Sequence, residues 1–491
     1  MRAFRLALVP VLALLWVAHA RAADVTERWF EVRLSGRPAG WTRAVERRVP
    51  EGWRTETETR LRLRRGTTTL DMVTTGWIVE SETGAPLSGG RTQAGSGQSQ
   101  RVSWRYRSDG IEERTVDLDR VTDRTLPAAP EEALPPHAAE ADARARREAG
   151  ANEIEQVLFE PAQGAAPQRV RAVREGDETI VVAGEPVPAT RWRLEGPLVP
   201  PGSREWRSAT GELLRSMAPT GIGAVESVLS DAERAARSLD RAGSGPEVMV
   251  ASFAEADRPM SDPSRLRKAA FRVRAEPGST PIATGFQAVR TEGAASMVTV
   301  DLDAPGMEAS ERERSDPSFL AASPMIDPRD PVVRALAERA LASAPADRAM
   351  RIERLRRATG EALPRKNLSS ALSSAGEALR TGTGDCTEHA VVLAALLRSQ
   401  GIPSRVVAGL IWCDEFSGRR DVFGWHLWTQ ALVEGRWIDL DATLPVEGPA
   451  FHPGHIAFAV TALSDPAGDP ALVRLLGALG ALRIEVLDGA R

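Results

Sequence analysis

Apolar and polar residues alternate in short runs from Trp29 to about Asp119, with Gly, Pro and Asp between the runs. WFEVRLSGRPAGW reads as a strand, a Gly/Pro turn and a second strand. The alternation resumes in TETETRLRLRR (Thr55 to Arg65), continues from Thr67 to Glu80, and returns at Val102 to Tyr106 before a turn at Ser108 to Gly110. A period of two with one polar face predicts an antiparallel sheet wetted on one side. Leu126 to Ala138 is rich in Pro, Ala and Glu and predicts a linker. Asp142 to Leu158 predicts a helix and then a turn. Val187 to Leu194 and SREWRSATGELLRSM predict further strands, and Ala224 to Ser238 predicts a helix with Val225, Val228 and Leu229 on one face. Val248 to Phe253, Ala269 to Val273 and Ala294 to Val300 are strand candidates. No strict repeat runs through this half, so two packed sheet segments or one long curved sheet both fit.

The pattern changes near Ser315. DPRDPVVRALAERAL follows an Asp-Pro turn with helical spacing, placing Val332, Leu336 and Leu341 inward, and Ala349 to Thr359 predicts a second helix. A Gly-rich approach then leads to the apolar run after Cys386. Strands are predicted at Ser404 to Trp412, Gly424 to Leu432 and Arg436 to Asp441. A helical layer followed by an antiparallel sheet reads as α+β. The expected organisation is a leader at 1–22, an antiparallel β domain at 24–135, a second β-rich segment with helices at 140–310, continuous with the first or separate, and an α+β domain at 315–491.

Composition narrows the class. A chain of 491 residues with 42% hydrophobic residues exceeds one core. A net charge of -4 argues against a nucleic-acid partner. Arg2 and Arg5, the apolar Leu6 to Ala18 and the small residues before Ala20, Ala22 and Ala23 read as a secretory signal, which predicts an exported protein, periplasmic or secreted. No later stretch predicts a stable membrane span; Leu472 to Ile484 is apolar but short and holds Arg474. With two cysteines, Cys386 and Cys413, there is no disulfide framework.

The chemistry concentrates between Gly384 and Thr443. Cys386 stands in GDCTEHAVVLAALLRSQGIPSRVVAGL, His426 in FGWHLWT and Asp441 in GRWIDLDAT. A thiol at a helix start has its thiolate stabilised by oriented backbone N–H groups, which can also hold an oxyanion. His426 on a strand is the candidate base, and Asp441 or, two residues earlier on the same face, Asp439 the candidate orienting carboxylate. Asp441 is preferred because the DAT turn ends the strand near the sheet rim. Glu388 and His389 are expected to make structural hydrogen bonds. His452 and His455 lack the Cys or acidic neighbours of a metal set, so neither metal nor cofactor is expected, and His455 is expected to pack or cap near the site. Cys413 is expected to be buried, with a redox pairing to Cys386 as the alternative, and Trp425 to pack.

Residues 366 to 443, through GDCTEHAVVLAALLRSQGIPSRVVAG, GWHLWTQALVEGRW and IDLDAT, resemble the transglutaminase-like cysteine-enzyme superfamily, a papain-related fold. The resemblance implies Cys386 as nucleophile, His426 as base and acid, Asp441 as its orienting residue, and a thioester intermediate. Ala442 stands where the family usually has Pro. The N-terminal sheets loosely resemble the curved-sheet modules that precede such domains in bacterial envelope proteins. The expected function is a thiol hydrolase or peptidase acting on a protein or peptide, a cell-wall peptide included. The alternatives are a protein-crosslinking glutamyltransferase and an inactive envelope binding or assembly protein. Oligomeric state is not legible.

Overall fold

A computed structural model describes residues 25–488, apart from 66–67, 96–97, 118–119, 221–222, 247, 249–252, 276–279, 345, 367–372, 417 and 465–481. The expected leader and most of the apolar run from Leu472 lie outside the described residues. The chain divides into two compact units, residues 5–248 and 249–491.

The first unit is built on one sheet of 15 strands. Eight strands, from Val25–Leu34 to Arg120–Leu126, pair each with the next in antiparallel order. Val25–Leu34 also pairs with Gly223–Ser230, the last strand of a second meander that runs back through the sheet to Ala133–Leu134. The two end strands are therefore consecutive in the chain, joined by residues 127–132. Inward residues from distant strands meet in small clusters, Ile78 with Ala133, Val157 and Phe159, and Val102 and Trp104 with Ala165.

Two expectations fail here. Glu153–Leu158 is a strand paired with Gln168–Val182, not a turn after a helix; the helix is Pro136–Glu148, which begins inside the expected linker. Gly223–Ser230 is a strand rather than the first half of a helix, and the helix is Ala232–Arg241, capped by Asp231. Val225 and Val228 have helical spacing, but pairing with Val25–Leu34 on one side and Leu213–Thr220 on the other overrides that local signal.

The second unit packs helices and two sheets. The larger sheet runs in the order Met307–Glu308, Arg436–Leu440, Arg419–Val433, Ser404–Phe416, His455–Thr461, and Ala254–Glu255 also pairs with Arg419–Val433. The smaller sheet is Gln287–Glu292, Ala295–Asp301, Lys268–Arg274 and Arg483–Asp488. Their facing apolar residues, among them Phe271, Val298, Phe423, Trp428 and Ile484, form one core. This unit thus includes strands well ahead of Ser315, because their partners lie near the C-terminus. The Pro331–Leu341 helix buries Val333 and Ala337, one position on from the expected inward face. Among the described residues, no helix is long and apolar enough to cross a membrane.

Candidate active site

Cys386 is the first residue of the helix Cys386–Ser399. The approach is tight: Gly382 ends the preceding helix with φ 60°, and a Cβ on Gly384 would lie 2.4 Å from the Glu388 Cβ. The Glu388 carboxylate accepts from Asp385 N and Ser373 N, both at 2.8 Å, which fixes the helix start. Ala390 to Leu397 are fully or almost fully buried, so the helix is held on all sides. Thr429 Oγ1 donates to Ala390 O at 2.9 Å and ties the cysteine helix to the strand that carries His426.

That strand, Arg419–Val433, puts His426 opposite Gly409. Gly409 has no room for a side chain, since a Cβ there would lie 2.2 Å from Ile456 O and 2.6 Å from the Trp428 ring. Asp441 follows directly after the strand Arg436–Leu440. Its Oδ1 accepts from Thr443 N (2.8 Å) and Thr443 Oγ1 (2.7 Å), so the DAT sequence is a turn that locks the carboxylate. Its Oδ2 lies 2.8 Å from His426 Nε2 and 3.1 Å from His455 Nε2. His455 opens the strand His455–Thr461, stacks on Phe451 at 4.2 Å between ring centres, and places Nδ1 2.9 Å from His452 O.

Burial disfavours the charged imidazole of His426, but the charge and hydrogen bond of Asp441, and then the Cys386 side chain, outweigh it and raise the pKa to about 10. Burial also opposes the charge of Asp441, yet His426 and His455 hold its carboxyl well below the usual range. Burial is the main influence on His455, and with the charge of His426 it depresses that imidazole despite Asp441. With Asp441 ionised, the His426 hydrogen bond to it uses Nε2–H.

His426 and Asp441 share a hydrogen bond, and the Cys386 side chain is among the influences that raise the His426 pKa. Asp439 does not share in this hydrogen bond and does not face solvent: it is buried and accepts from Trp428 Nε1, Gln430 Nε2 and Phe286 N. His389 is fully buried, its Nδ1 on Asp385 O at 2.7 Å, with a pKa pushed down to about 4, chiefly by burial. Trp425 alternates to the other face from His426 and packs on Phe458. Cys413 and Cys386 are not bridged, and burial pushes the Cys413 thiol up to about 11.

The contact of His455 with Asp441 was missed from sequence, where no spacing signal connects residues on different strands. His426, Asp441 and His455 present possible ligand atoms within 4.8 Å of one another, but their closest separations are those of hydrogen bonds already made.

Residues 334–442 match the family model described as the Transglutaminase-like superfamily, a span that contains Cys386, His426 and Asp441. The matched span lies within the α+β second unit, and the β-rich N-terminal region is separate from it. No curated protein matches the sequence. Among solved structures the chain is similar to a β-barrel-like protein of unknown function from Brucella abortus, at 9% identity and TM-score 0.32, covering 43% of this chain and 98% of that one. It is also similar to a candidate cysteine protease from Cytophaga hutchinsonii, at 14% identity and TM-score 0.28, covering 46% and 81%. A candidate protease from Parabacteroides distasonis aligns at 10% identity and TM-score 0.19, covering 73% and 69%.

Proposed function

We propose that the second unit is a transglutaminase-like thiol enzyme that forms a thioester between Cys386 and the acyl group of a peptide or carboxamide. The observation that carries this reading is the hydrogen bond from His426 to Asp441, with the Cys386 side chain among the influences that raise the His426 pKa. In this mechanism His426 takes the thiol proton and the thiolate attacks the carbonyl carbon. Backbone N–H groups at the start of the Cys386–Ser399 helix face the developing oxyanion. His426 gives its proton to the departing amine, the C–N bond breaks, and water or a second amine then resolves the thioester and frees the thiol.

Resolution by water makes the protein an amidase or peptidase, our main reading. Resolution by an amine makes it a crosslinking acyltransferase, and the match to a transglutaminase-like family favours keeping that outcome in view. The basic, apolar and small-residue order at the N-terminus supports an exported enzyme with an envelope protein or peptide as substrate.

The test is iodoacetamide labelling followed by intact mass from pH 4 to pH 9, on wild type and on His426→Ala. Fast labelling of Cys386 at acid pH that is lost with His426 supports the thiolate–imidazolium pair. An ordinary thiol profile in both proteins rules the reading out and favours a binding module. Peptide amides with and without an added primary amine then separate hydrolysis from transfer.

A further inference from the structure

A cavity of about 360 Å³ opens in the first unit between the end of the Pro136–Glu148 helix and the turn at Ser208 to Gly211. Four arginines line it, Arg144, Arg147, Arg174 and Arg207, against one carboxylate, Glu148. The carboxylates that hold two of these arginines sit elsewhere. Glu140 accepts from Arg147 (2.6 Å) and Arg207 (3.1 Å), and Glu205 accepts from Arg207 (2.7 Å). Both glutamates are buried and line a smaller adjoining void, not the cavity. The buried ion pairs therefore lock the Arg147 and Arg207 guanidinium groups in place from behind, and among the residues lining the cavity Glu148 alone carries a carboxylate.

Two further observations point the same way. Arg147 Nε and Trp192 Nε1 are buried N–H groups without a hydrogen-bond acceptor, and both residues line the cavity. Burial, and next the charge of Arg207, hold the Arg147 guanidinium below its ordinary range, a strain that a bound anion relieves. The volume lies within the small-molecule range of about 300–1,000 Å³. It far exceeds the ~30 Å³ share of one water, so there is room for an organic body beside Trp192 as well as an anionic head.

We propose that this cavity binds a small organic carboxylate, its oxygens facing the arginines and its uncharged body against Trp192. The carboxylate belongs either to a free small acid or to the C-terminus of a peptide. The site is independent of the thiol chemistry proposed above, so its test is run on the full chain carrying Cys386→Ala.

The experiment is isothermal titration with N-acetylalanine, N-acetylalanine amide, N-acetyl-tetraalanine and inorganic phosphate. Arg144→Gln and Arg174→Gln are the variants; Arg174 reaches solvent and pairs with the exposed Asp177, so its replacement is expected to spare the fold. Binding of the acids but not of the amide is expected, weakened roughly tenfold or more in either variant while circular dichroism and the unfolding midpoint stay unchanged. Preference for N-acetylalanine identifies a free acid; equal or tighter binding of N-acetyl-tetraalanine identifies a peptide end. Equal binding of acid and amide, binding of phosphate alone, binding unchanged in both variants, or no binding at millimolar concentration overturns the proposal.

Discussion

His455 and Asp441 are joined at 3.1 Å through the same carboxylate oxygen that takes His426 at 2.8 Å. One anion thus serves two imidazoles, and the N–H of His455 draws charge away from His426. In His455→Ala all of that charge acts on His426, whose imidazolium should keep its proton to higher pH. The alkaline limb of Cys386 alkylation, or the His426 NMR titration, should move up. Asp441 also loses one donor in a buried site, which should cost about 1–3 kcal/mol by urea denaturation. An unmoved titration would leave His455 as packing alone.

Asp441→Asn keeps the shape of the carboxyl and removes its charge. Burial then acts on His426 with little opposition, and its pKa should fall from about 10 to below the ordinary 6.5. Labelling of Cys386 at acid pH should disappear and turnover should fall on the order of 10³–10⁴-fold. The raised folded pKa also has a stability sign. The stabilisation is complete below about pH 6.5 and is lost as pH rises through about 10, and the variant should lack that slope in a pH series of urea midpoints.

The two thiols should separate by reactivity. Burial lifts Cys413 to about 11, so almost none of it is thiolate at neutral pH. Peptide mapping after brief alkylation at pH 7 should find label on Cys386 and not on Cys413. Equal labelling would contradict the raised pKa of the half-buried Cys413.

Glu80 offers a pH test in the first unit. Its carboxylate is fully buried and accepts from His137 N and Ala138 N, yet burial raises the pKa from 4.5 to about 7. The folded state therefore holds this proton more tightly than the unfolded chain. The resulting stabilisation is full below about pH 4.5 and is lost as pH rises through about 7, a change of about 3 kcal/mol. Glu80→Gln should flatten that part of the stability profile, read as the difference between the two proteins in urea titrations. Parallel profiles would place the proton elsewhere.

Much of the second unit could be read from local pattern. The Gly-rich approach, the apolar run after Cys386 and the turn after Asp441 each announce themselves within about ten residues. The choice of Asp441 over Asp439 followed from the turn, which the Thr443 hydrogen bonds explain. What escaped the sequence depends on distant pairing. Lys268–Arg274 finds Arg483–Asp488, Val25–Leu34 finds Gly223–Ser230, and His455 finds Asp441; no periodicity within one segment encodes such partners. Val225 and Val228 show the cost, since their spacing suited a helix and a sheet claimed them.

The order of the first unit's sheet carries a geometric demand. Its terminal strands, Arg120–Leu126 and Ala133–Leu134, are separated by 13 intervening strands but joined by residues 127–132. Laid flat at ~4.8 Å per strand, those edges would stand roughly 67 Å apart. Seven residue steps reach at most about 25 Å. The sheet must therefore roll until its two edges are near neighbours, and the short connection acts as a covalent seam along a wall that hydrogen bonds leave open.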